Sequence, residues 1–348
     1  MRAVVIREPG AAAAVMRVES VPDPIPGPRD VIIKVGACGV CYHDVVTRNG
    51  TLKAGVKMPL IPGHEIAGTV VEIGAHVRSV KVGDRVATTQ RRHVCGRCRY
   101  CRTGREPLCD EAEFIGDAGF NGGFAEYATV EDDNVALVPD GVPFDAAAIA
   151  ACAIGTMFHA IVGVGRVQLG ESVLVTGAGG GLGMHGLQIA RAAGALVIAQ
   201  TTSPEKSEAI RAAGAHEVVV HERGADFAPA VRKLAGGEGV DVAIDTVGSA
   251  AFQSTRRALA RGGRWVLVGQ LGGAFVPFNP AQLFLKSISL LSATSTTRDE
   301  LRHTLDLMAR GTLRAIISGA VRLEHAAEAH ERVEAGRALG RLVVEPHA

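Results

Sequence analysis

Val173-Leu-Val-Thr-Gly-Ala-Gly-Gly-Gly-Leu-Gly183 is the stretch of this 348-residue chain that decides the fold. Apolar residues predict a strand over 172–176, and the residues after the glycines predict a helix over 182–193. Consecutive glycines let the backbone turn tightly between these elements and bring N–H groups at the helix N-terminus close to a pyrophosphate. We therefore predict a dinucleotide site here. The residues predicted to contact it are Ala178, Gly180, Gly181, Leu182 and Gly183.

Strands and helices alternate regularly after this loop. The predicted strands cover 196–200, 217–220, 240–245 and 265–268, and the predicted helices cover 204–213, 232–235 and 252–259. Such alternation produces right-handed βαβ units and a parallel sheet covered by helices on both faces. The strict G-x-G-x-x-G spacing is absent, because Ala178-x-x-Gly181-x-Gly183 stands there, so a tight turn without a ligand is the alternative interpretation. We predict a doubly wound Rossmann domain over 153–294, with Val268 and Gly269 also on the cofactor.

The end of the second predicted strand distinguishes between two dinucleotides. Sites for NAD place Asp or Glu about 20 residues after the loop, where it binds the ribose hydroxyls. The chain reads Gln200-Thr-Thr-Ser-Pro-Glu-Lys206, without an acid at the strand tip. A carboxylate there would repel a 2′-phosphate, so NADP(H) is favoured over NAD(H). The predicted phosphate contacts are Thr201, Thr202, Ser203 and Lys206, although Thr202 or Ser203 could instead cap the following helix.

The first 140 residues predict an antiparallel β domain. Short runs rich in valine and isoleucine alternate with Gly, Pro and Asp turn signals. The predicted strands cover 31–35, 69–73, 85–88 and 125–130. The tail from 295 returns to mixed helices and strands and is expected to pack back on this domain. We therefore divide the chain into 1–152, 153–294 and 295–348, a mostly β domain interrupted by the Rossmann domain.

Composition excludes several classes of protein. The chain has 37 basic and 36 acidic side chains, so no basic field is available for nucleic acid or a membrane surface. One stretch, 146–165, lacks Lys, Arg, Asp and Glu, and we interpret it as a buried helix rather than a membrane span. The N-terminus shows no secretory signal pattern, and the closely spaced cysteines favour metal ligation over disulfides. We expect a cytoplasmic protein.

The segment Cys95-x2-Cys98-x2-Cys101-x7-Cys109 is the most specific motif in the chain. Four thiolates on one short lobe, 91–110, are typical of a closed tetrahedral structural zinc site. An iron–sulfur cluster is the alternative, but ferredoxin motifs continue with x3-C-Pro. Six arginines in this lobe offset the charge of four thiolates on zinc. A nucleic-acid-binding zinc ribbon is a further alternative, weakened because Tyr100 is the lobe's one aromatic residue.

A second set of metal-ligand residue types is scattered along the chain. It comprises Cys41 in Cys38-Gly-Val-Cys-Tyr-His-Asp44, His64-Glu65 and Cys152. Each residue taken singly is unremarkable, because a lone histidine is usually a hydrogen-bonded core residue and a cysteine in an alanine-rich helix is usually buried. Cys38 and Cys41 also match a redox C-x-x-C pair, but the adjacent Gly-His-Glu favours a metal.

Taken together, the motifs resemble the zinc-dependent alcohol dehydrogenases of the medium-chain dehydrogenase/reductase superfamily, over essentially the whole chain. The resemblance implies a GroES-like catalytic domain, a homodimer or homotetramer, and two Zn²⁺ per chain, one catalytic and one structural. It implies that the catalytic zinc is held by Cys41, His64 and Cys152. The further roles it implies are Glu65 approaching the metal during ligand exchange, Asp44 orienting the ligands, Thr156 contacting the nicotinamide and Arg341 reaching the cofactor phosphates.

One position departs from the family pattern. The family starts its proton relay at a Ser or Thr two residues after the first cysteine ligand, where this chain has His43. An imidazole suits proton transfer near neutral pH, so His43 is either the proton donor or a structural residue. The Cys-Tyr-His-Asp variant and Ile244-Asp-Thr-Val-Gly248 are similar to a branch that includes acryloyl-coenzyme A reductases and quinone-reductase-like enzymes.

Three functional hypotheses follow from these motifs. The first is a zinc-dependent oxidoreductase that transfers hydride between NADP(H) and an alcohol, aldehyde or ketone. The second is an NADPH-dependent enoyl reductase that acts on a conjugated acyl thioester or enone. The third is a non-catalytic nucleotide- and zinc-binding redox sensor, which would leave a complete set of catalytic ligands unused. In each case the partner is a small molecule, with no nucleic acid and no membrane.

Overall fold

The computed structural model describes residues 1–53, 55–117, 119 and 121–348. Its internal contacts divide the chain into two compact units. The discontinuous unit comprises Met1–Gly155 and Ser295–Ala348, and the continuous unit comprises Thr156–Thr294. The first boundary falls at Gly155, whereas the sequence analysis put it at Cys152.

Both units combine β-strands with α-helices. The strands are β1 (Arg2–Ile6), β2 (Met16–Ser20), β3 (Asp30–Val40), β4 (Ile66–Ile73), β5 (Arg85–Thr88), β6 (Arg91–His93), β7 (Glu113–Phe114), β8 (Tyr127–Glu131), β9 (Val135–Leu137), β10 (Ser172–Val175), β11 (Leu196–Thr201), β12 (Glu217–Val220), β13 (Val240–Asp245), β14 (Leu259–Leu267), β15 (Ser289–Ser292), β16 (Ile317–Val321) and β17 (Arg341–Val344). The α-helices are α1 (Ala12–Val15), α2 (Tyr42–Arg48), α3 (Phe144–Ala148), α4 (Thr156–Phe158), α5 (Gly181–Ala192), α6 (Ser207–Ala212), α7 (Ala228–Leu234), α8 (Phe252–Ala258), α9 (Ala281–Phe284), α10 (Arg298–Ala309) and α11 (Ala326–Glu334).

A parallel sheet forms the centre of the continuous unit. In the part of the chain that the structure describes, it has six strands in the order β12-β11-β10-β13-β14-β15, and every neighbouring pair is parallel. Strand order reverses direction at β10, which is where doubly wound sheets bind ligands at their carboxyl ends. Val173, Val242 and Trp265 are fully buried, as expected for strands covered on both faces. The glycine-rich loop leaves the sheet at this reversal point.

A mostly antiparallel sheet forms the centre of the discontinuous unit. Within the described residues it has seven strands, in the order β16-β17-β3-β4-β5-β9 with β8 also paired to β3. The long strand β3 pairs with β4, β8 and β17, so the segments that follow β3 and precede β4 lie side by side. Val31, Ile33, Ile66 and Phe124 are fully buried in its core. The C-terminal strand β17 completes the sheet that begins near the N-terminus.

The predicted fold class, α/β with a mostly β domain and a doubly wound parallel sheet, is confirmed by these two sheets. The predicted strands at 85–88, 217–220 and 240–245 coincide with β5, β12 and β13. The charge-free stretch 146–165 is helical and largely buried, with π-helical turns at Ala150–Gly155 and His159–Val164. Among the described residues, no helix has the length and apolarity that crossing a bilayer requires.

Candidate functional site

The first ligand-type residue stands at the junction between β3 and α2. Cys41 follows the last residue of β3 and is the N-cap of α2, where its Sγ accepts from the His43 N–H at 3.5 Å. The carboxylate of Asp44 accepts from the Cys41 N–H at 2.9 Å, which completes a reciprocal cap. One of these hydrogen bonds holds the Cys41 sulfur and the other holds its backbone, so the position of this ligand is set before any metal is considered.

His64 and Glu65 lie on the segment that leads into β4, and both are buried. His64 Nδ1 donates to Asp44 Oδ1 at 3.1 Å, so its Nε2 is the nitrogen available as a ligand. The Gly63 N–H donates to the same carboxylate oxygen at 3.3 Å. Gly63 has φ +97°, and a Cβ there would come within 2.7 Å of Cys38 Sγ. A side chain at position 63 would therefore displace the turn that presents His64.

Cys152 completes a compact cluster of ligand atoms. It lies in the buried π-helical segment Ala150–Gly155, and its Sγ is 3.9 Å from Cys41 Sγ. One ligand atom from each of Cys41, His64, Glu65 and Cys152 lies within 4.8 Å of all the others. Zinc bonds of about 2.0–2.3 Å place tetrahedral ligands somewhat less than 4 Å apart. The donor set and its spacing therefore fit a zinc ion.

Hydrogen bonds and charges bias the protonation of this cluster. The hydrogen bond from Cys152 lowers the pKa of Cys41 well below its usual value, and the charges of Arg341 and His64 act in the same direction. That hydrogen bond and burial raise the pKa of Cys152 well above its usual value. Burial opposes the charging of His64, but the Asp44 carboxylate raises the pKa of the ring. Because metal ligands must be deprotonated, binding of an ion here releases protons.

Arg341 lies inside the cluster, on β17. Its Nη2 donates to Glu65 Oε1 at 2.5 Å, and it is 3.5 Å from both Cys41 Sγ and Cys152 Sγ. Its Nε donates to Glu65 Oε2 at 3.1 Å. Burial raises the pKa of Glu65, and the guanidinium opposes that rise. The predicted contact of Arg341 with the cofactor phosphates stays a prediction, whereas no sequence signal indicated its pairing with Glu65.

Glu65 has room for its carboxylate because the neighbouring strand carries a glycine. A Cβ at Gly39 would lie 2.0 Å from Glu65 Oε2. The Gly39 N–H also donates to the Glu65 carbonyl oxygen at 2.8 Å, which holds the two segments together. An alanine at position 39 would therefore push the carboxylate away from Arg341.

His43 lies beside the cluster and pairs with an acid that the sequence analysis missed. Its Nε2 donates to Asp117 Oδ2 at 2.8 Å, and its ring centroid is 5.3 Å from that of His64. The Phe114 ring packs against both histidines, and its centroid is 4.9 Å from that of His43 and 5.1 Å from that of His64. Asp117 lies 74 positions along the chain from His43, in a loop without a recognisable motif, so no sequence signal indicated it.

The alternative interpretation of Cys38 and Cys41 as a redox pair is not supported. Cys38 Sγ donates to the Gly39 carbonyl oxygen, and burial raises the pKa of its thiol well above the usual value. A buried thiol of this kind is a poor nucleophile. Cys41 instead faces Cys152.

The four cysteines of the 91–110 lobe form a second cluster. One sulfur atom from each of Cys95, Cys98, Cys101 and Cys109 lies within 4.8 Å of all the others. Backbone N–H groups of Cys95, Cys98 and Cys101 donate to sulfur atoms of the cluster at 3.3–3.4 Å. The N–H of Cys101 lowers the pKa of Cys98 to about 7. Amide donors stabilise thiolates, so this lobe suits a tetrahedral metal ion.

The glycine-rich loop turns as the sequence predicts. Gly177 has φ +61°, and α5 begins at Gly181 with Gly180 as its N-cap. A Cβ at Gly183 would come within 2.5 Å of the Gly177 carbonyl oxygen, so a side chain there would open the turn. The first-turn N–H groups of α5, including those of Leu182 and Gly183, have no intrahelical acceptor, which suits an anion. Ala178 is fully buried behind this turn.

At the tip of β11, Thr201 is buried and its Oγ1 accepts from the Ser203 N–H at 3.1 Å. Thr202 is exposed and Lys206 is partly buried, which lowers the pKa of its ammonium group. Within the described residues, the Ser203 side chain makes no cap hydrogen bond to the turn that follows, so the interpretation of Ser203 as a helix cap is not supported. Gln200 Oε1 accepts from the Gly177 N–H at 3.0 Å, a contact that sequence analysis did not foresee.

Three further predicted cofactor residues lie in the continuous unit. Thr156 is buried, and among the described residues its Oγ1 has no hydrogen-bond partner. The N–H groups of Val268 and Gly269 donate to the Asp245 carbonyl oxygen at 2.9 and 3.3 Å, at the carboxyl end of β13. The contacts of all three with a dinucleotide stay predictions.

Comparison with known proteins agrees with this geometry. A model of the alcohol dehydrogenase GroES-like domain matches residues 27–140, and a model of the zinc-binding dehydrogenase family matches residues 181–310. An alcohol dehydrogenase from Geobacillus stearothermophilus is 36% identical and covers 99% of both chains. The acryloyl-coenzyme A reductase of Sulfurisphaera tokodaii is 32% identical and covers 99% of this chain and 100% of its own.

Solved structures give the same result. The crystal structure of AibC superposes with a TM-score of 0.92 at 44% identity, covering 99% of this chain and 96% of that chain. The resemblance seen in the sequence is therefore confirmed in both units and in the order of the motifs. The chain belongs to the zinc-dependent alcohol dehydrogenase family of the medium-chain dehydrogenase/reductase superfamily, and it is an oxidoreductase.

Proposed function

We propose that this protein transfers a hydride between NADP(H) and an alcohol, aldehyde or ketone at a catalytic zinc. The observation that carries the proposal is the buried cluster of Cys41, His64 and Cys152, with Asp44 bonded to the far nitrogen of His64. A cluster of two thiols and one imidazole from three distant segments has no evident structural purpose. Within this family it matches the ligand set of the catalytic metal.

Two zinc ions per chain are proposed, one in each cluster. When bound, the catalytic zinc acts as a Lewis acid that polarises the carbonyl oxygen and stabilises the developing alkoxide. Two thiolates and a neutral imidazole balance its charge. Asp44 bonds Nδ1 of His64 and so leaves Nε2 as the nitrogen that would hold the ion, and Arg341 holds the Glu65 carboxylate beside the cluster, where it would be available to the ion.

The cofactor roles of the continuous unit are proposed from its loop and strand tips. The helix N-terminus at Gly181 offers N–H groups to the pyrophosphate. The buried, unpartnered hydroxyl of Thr156 offers a hydrogen bond to the nicotinamide amide. Contacts of Val268 and Gly269 with the dinucleotide, and of Arg341 with its phosphates, are kept as proposals.

Replacing Asp44 tests the catalytic metal site. Asp44→Asn keeps the shape of the side chain but removes the charge that orients His64, so zinc affinity at this site should fall by about 10- to 100-fold. Competition with a chelator measures that affinity, and the lobe zinc serves as an internal reference. Asp140→Asn, at an exposed acid, is the matched control. Equal retention of both zinc ions in Asp44→Asn and the control would contradict the proposed role.

NADP(H) is proposed over NAD(H) because no carboxylate stands at the tip of β11, where Thr202 is exposed and Lys206 follows within a turn. The stem of Lys206 also lies against the glycine loop, since a Cβ at Gly179 would be 2.7 Å from Lys206 Cδ. Its ammonium group is thus held near the place where the loop would hold a dinucleotide. The serine and threonine hydroxyls beside it can donate hydrogen bonds to the oxygens of a 2′-phosphate.

Lys206→Ala should lower the ratio of kcat/KM for NADPH to that for NADH by about tenfold, the effect of losing one charge-assisted contact to phosphate. Steady-state kinetics with both cofactors at one fixed substrate concentration measure the ratio. Lys233→Ala, which removes an exposed lysine on α7, is the control and should leave the ratio unchanged. A wild-type enzyme that prefers NADH would overturn the assignment outright.

His43 is proposed as the residue that delivers the proton to the alkoxide. Asp117 holds its ring through Nε2, so Nδ1 is the nitrogen that exchanges protons. The contact with the His64 ring brings the imidazole to the edge of the ligand cluster. A Ser or Thr hydroxyl, which the family uses at this position, is absent from position 43.

His43→Ala should lower kcat by about 10²-fold while the zinc content stays at the wild-type value, because general acid catalysis contributes on this scale. Adding imidazole to the assay should restore part of the lost rate, since the small base can occupy the space of the missing ring. Asp117→Asn, which keeps His43 but alters its hydrogen bond, should show no rescue by imidazole. Failure of imidazole to raise the rate of His43→Ala would leave His43 a structural residue.

An enoyl reductase is the second candidate. Two observations favour it, the His43 departure and the similarity over the full length to a protein named acryloyl-coenzyme A reductase. Hydride addition to an activated C=C bond uses the same donor. The two candidate functions differ in whether the enzyme needs the catalytic zinc for its activity.

Oxidation of NADPH with a panel of aldehydes, ketones, enones and conjugated acyl thioesters, before and after chelation, separates the candidates. Carbonyl reduction that is lost on chelation and returns with Zn²⁺ is expected. Activity confined to C=C acceptors that survives chelation identifies an enoyl reductase. Absence of turnover with every acceptor would favour a nucleotide- and zinc-binding sensor instead.

A homodimer or homotetramer in the cytoplasm is proposed as the working state. Support for an oligomer comes from β15, the last strand in its sheet, whose Leu290 is exposed, and from exposed Phe275, Phe278, Phe284 and Leu285 in the same unit. Support for the cytoplasm comes from the use of cysteines as metal-ligand clusters, because thiols stay reduced there.

A further inference from the structure

Five of the six arginines in the four-cysteine lobe divide into two kinds by their contacts. Arg92 pairs with Asp30 and Glu113, and Arg97 pairs with Glu111 at 2.7 Å. The guanidinium groups of Arg99 and Arg105 lie over the ring of Tyr100. Such ion pairs and cation–π contacts are common for arginines near a protein surface. Arg91 is different, because it is only 7% exposed.

Arg91 is held by neutral groups. Its Nη1 donates to Ser295 Oγ at 2.6 Å, and its Nη2 donates to the Pro107 carbonyl oxygen at 3.0 Å. Among the described residues, no carboxylate oxygen lies within 4.0 Å of its guanidinium. Ser295 in turn donates to Gln90, the residue next to Arg91, so the position of the guanidinium is fixed from both sides.

A buried guanidinium without a carboxylate partner is unfavourable unless another negative charge lies close by. Burial lowers the pKa of Arg91 to about 10, and the charges that oppose this are those of Glu106 and the thiolate of Cys109. Pro107, which accepts from Arg91, stands two residues before Cys109. Arg91 is therefore hydrogen-bonded to the segment that carries Cys109, one of the four sulfur ligands.

Four thiolates around a divalent zinc leave two net negative charges in the cluster. Those charges are desolvated on the side that faces the protein, because Cys109 is buried. A fixed cation on that side compensates them, and the cluster compensates the cation. Glu106 is the other negative charge that acts on Arg91, and its carboxylate also accepts from the Arg298 N–H at 2.6 Å.

We propose that Arg91 is the built-in countercharge of the metal-loaded four-cysteine cluster and that its charge slows loss of the metal. Arg91 acts as a positioning residue rather than a ligand. The proposal rests on the proposed zinc occupancy of this lobe, and it extends that proposal to the residue that retains the ion. Arg92, Arg97, Arg99 and Arg105 are not part of it.

The test measures zinc release from the zinc-loaded full-length protein to a chromogenic chelator such as 4-(2-pyridylazo)resorcinol. Release from the lobe is the kinetic phase that disappears in Cys98→Ser. Arg91→Gln keeps a hydrogen-bond donor but removes the charge, and it should speed this phase by about tenfold. Arg91→Lys keeps the charge and should stay within about threefold of the wild type. Arg97→Gln, at an exposed arginine of the same lobe, should release zinc as the wild type does.

Several outcomes overturn the proposal. Equal release rates in Arg91→Gln and Arg97→Gln would show that the charge does not act on the cluster. Equal acceleration in Arg91→Lys and Arg91→Gln would assign the effect to hydrogen bonding. A wild-type protein that binds no zinc at the four cysteines would remove the proposed occupancy and this inference together, whereas the catalytic zinc would be unaffected.

A second variant keeps the test decisive if Arg91→Gln does not fold. Glu106→Gln removes a negative charge that repels the loaded cluster and competes for Arg91. It leaves an amide oxygen to accept from the Arg298 N–H, as the carboxylate does now at 2.6 Å. Slower zinc release from the lobe is expected in this variant. Unchanged or faster release would contradict the charge argument without any change at Arg91.

Discussion

The carboxylate of Asp44 is the group on which the catalytic cluster depends. It accepts from the N–H of Cys41, from the N–H of Gly63 and from Nδ1 of His64, so one buried side chain positions two ligands from separate segments. Burial of an acid costs free energy unless hydrogen bonds satisfy its oxygens. The donors here belong to Cys41, Gly63 and His64, so the bonds that satisfy the carboxylate also hold the ligands in place. The His64 ring holds the pKa of Asp44 below its usual value despite burial. Orientation of the ligands is therefore settled before any ion binds.

Charge balance explains two of the buried arginines in the discontinuous unit. Arg341 and Glu65 neutralise each other beside the sulfur atoms, in a space that Gly39 leaves open. The buried Arg91 donates to the carbonyl oxygen of Pro107, two residues before Cys109 of the other cluster. Both clusters thus combine sulfur ligands with one buried arginine, but the arginine has a carboxylate partner in only one of them. Because charges in a protein interior need compensation, metal occupancy and stability of these regions are coupled.

Several features could be predicted from the sequence because they depend on local pattern. The loop at 177–183, the alternation of strands and helices after it, and the four closely spaced cysteines each lie within one short segment, where backbone geometry and ligand spacing are set by neighbours in the chain. Asp117 could not be predicted, since it meets His43 across 74 positions through a loop without periodicity. The contact of Gln200 with Gly177 could not be predicted either, because it joins the end of β11 to the turn after β10 and depends on how those strands pair.

By itself, the sequence determined the fold class, the order of the units and the residue types available as ligands, because hydrophobic period, glycine turns and cysteine spacing are local properties. The family resemblance had already grouped Cys41, His64 and Cys152, and the tertiary structure brings their ligand atoms within 4.8 Å of one another. Only the tertiary structure decided that Arg341 pairs with Glu65 and that Arg91, unlike the other arginines of its lobe, is buried. The physical reason is that strand pairing and burial bring distant segments together, and the chemistry of each meeting depends on distances and solvent exclusion that no short stretch of chain encodes.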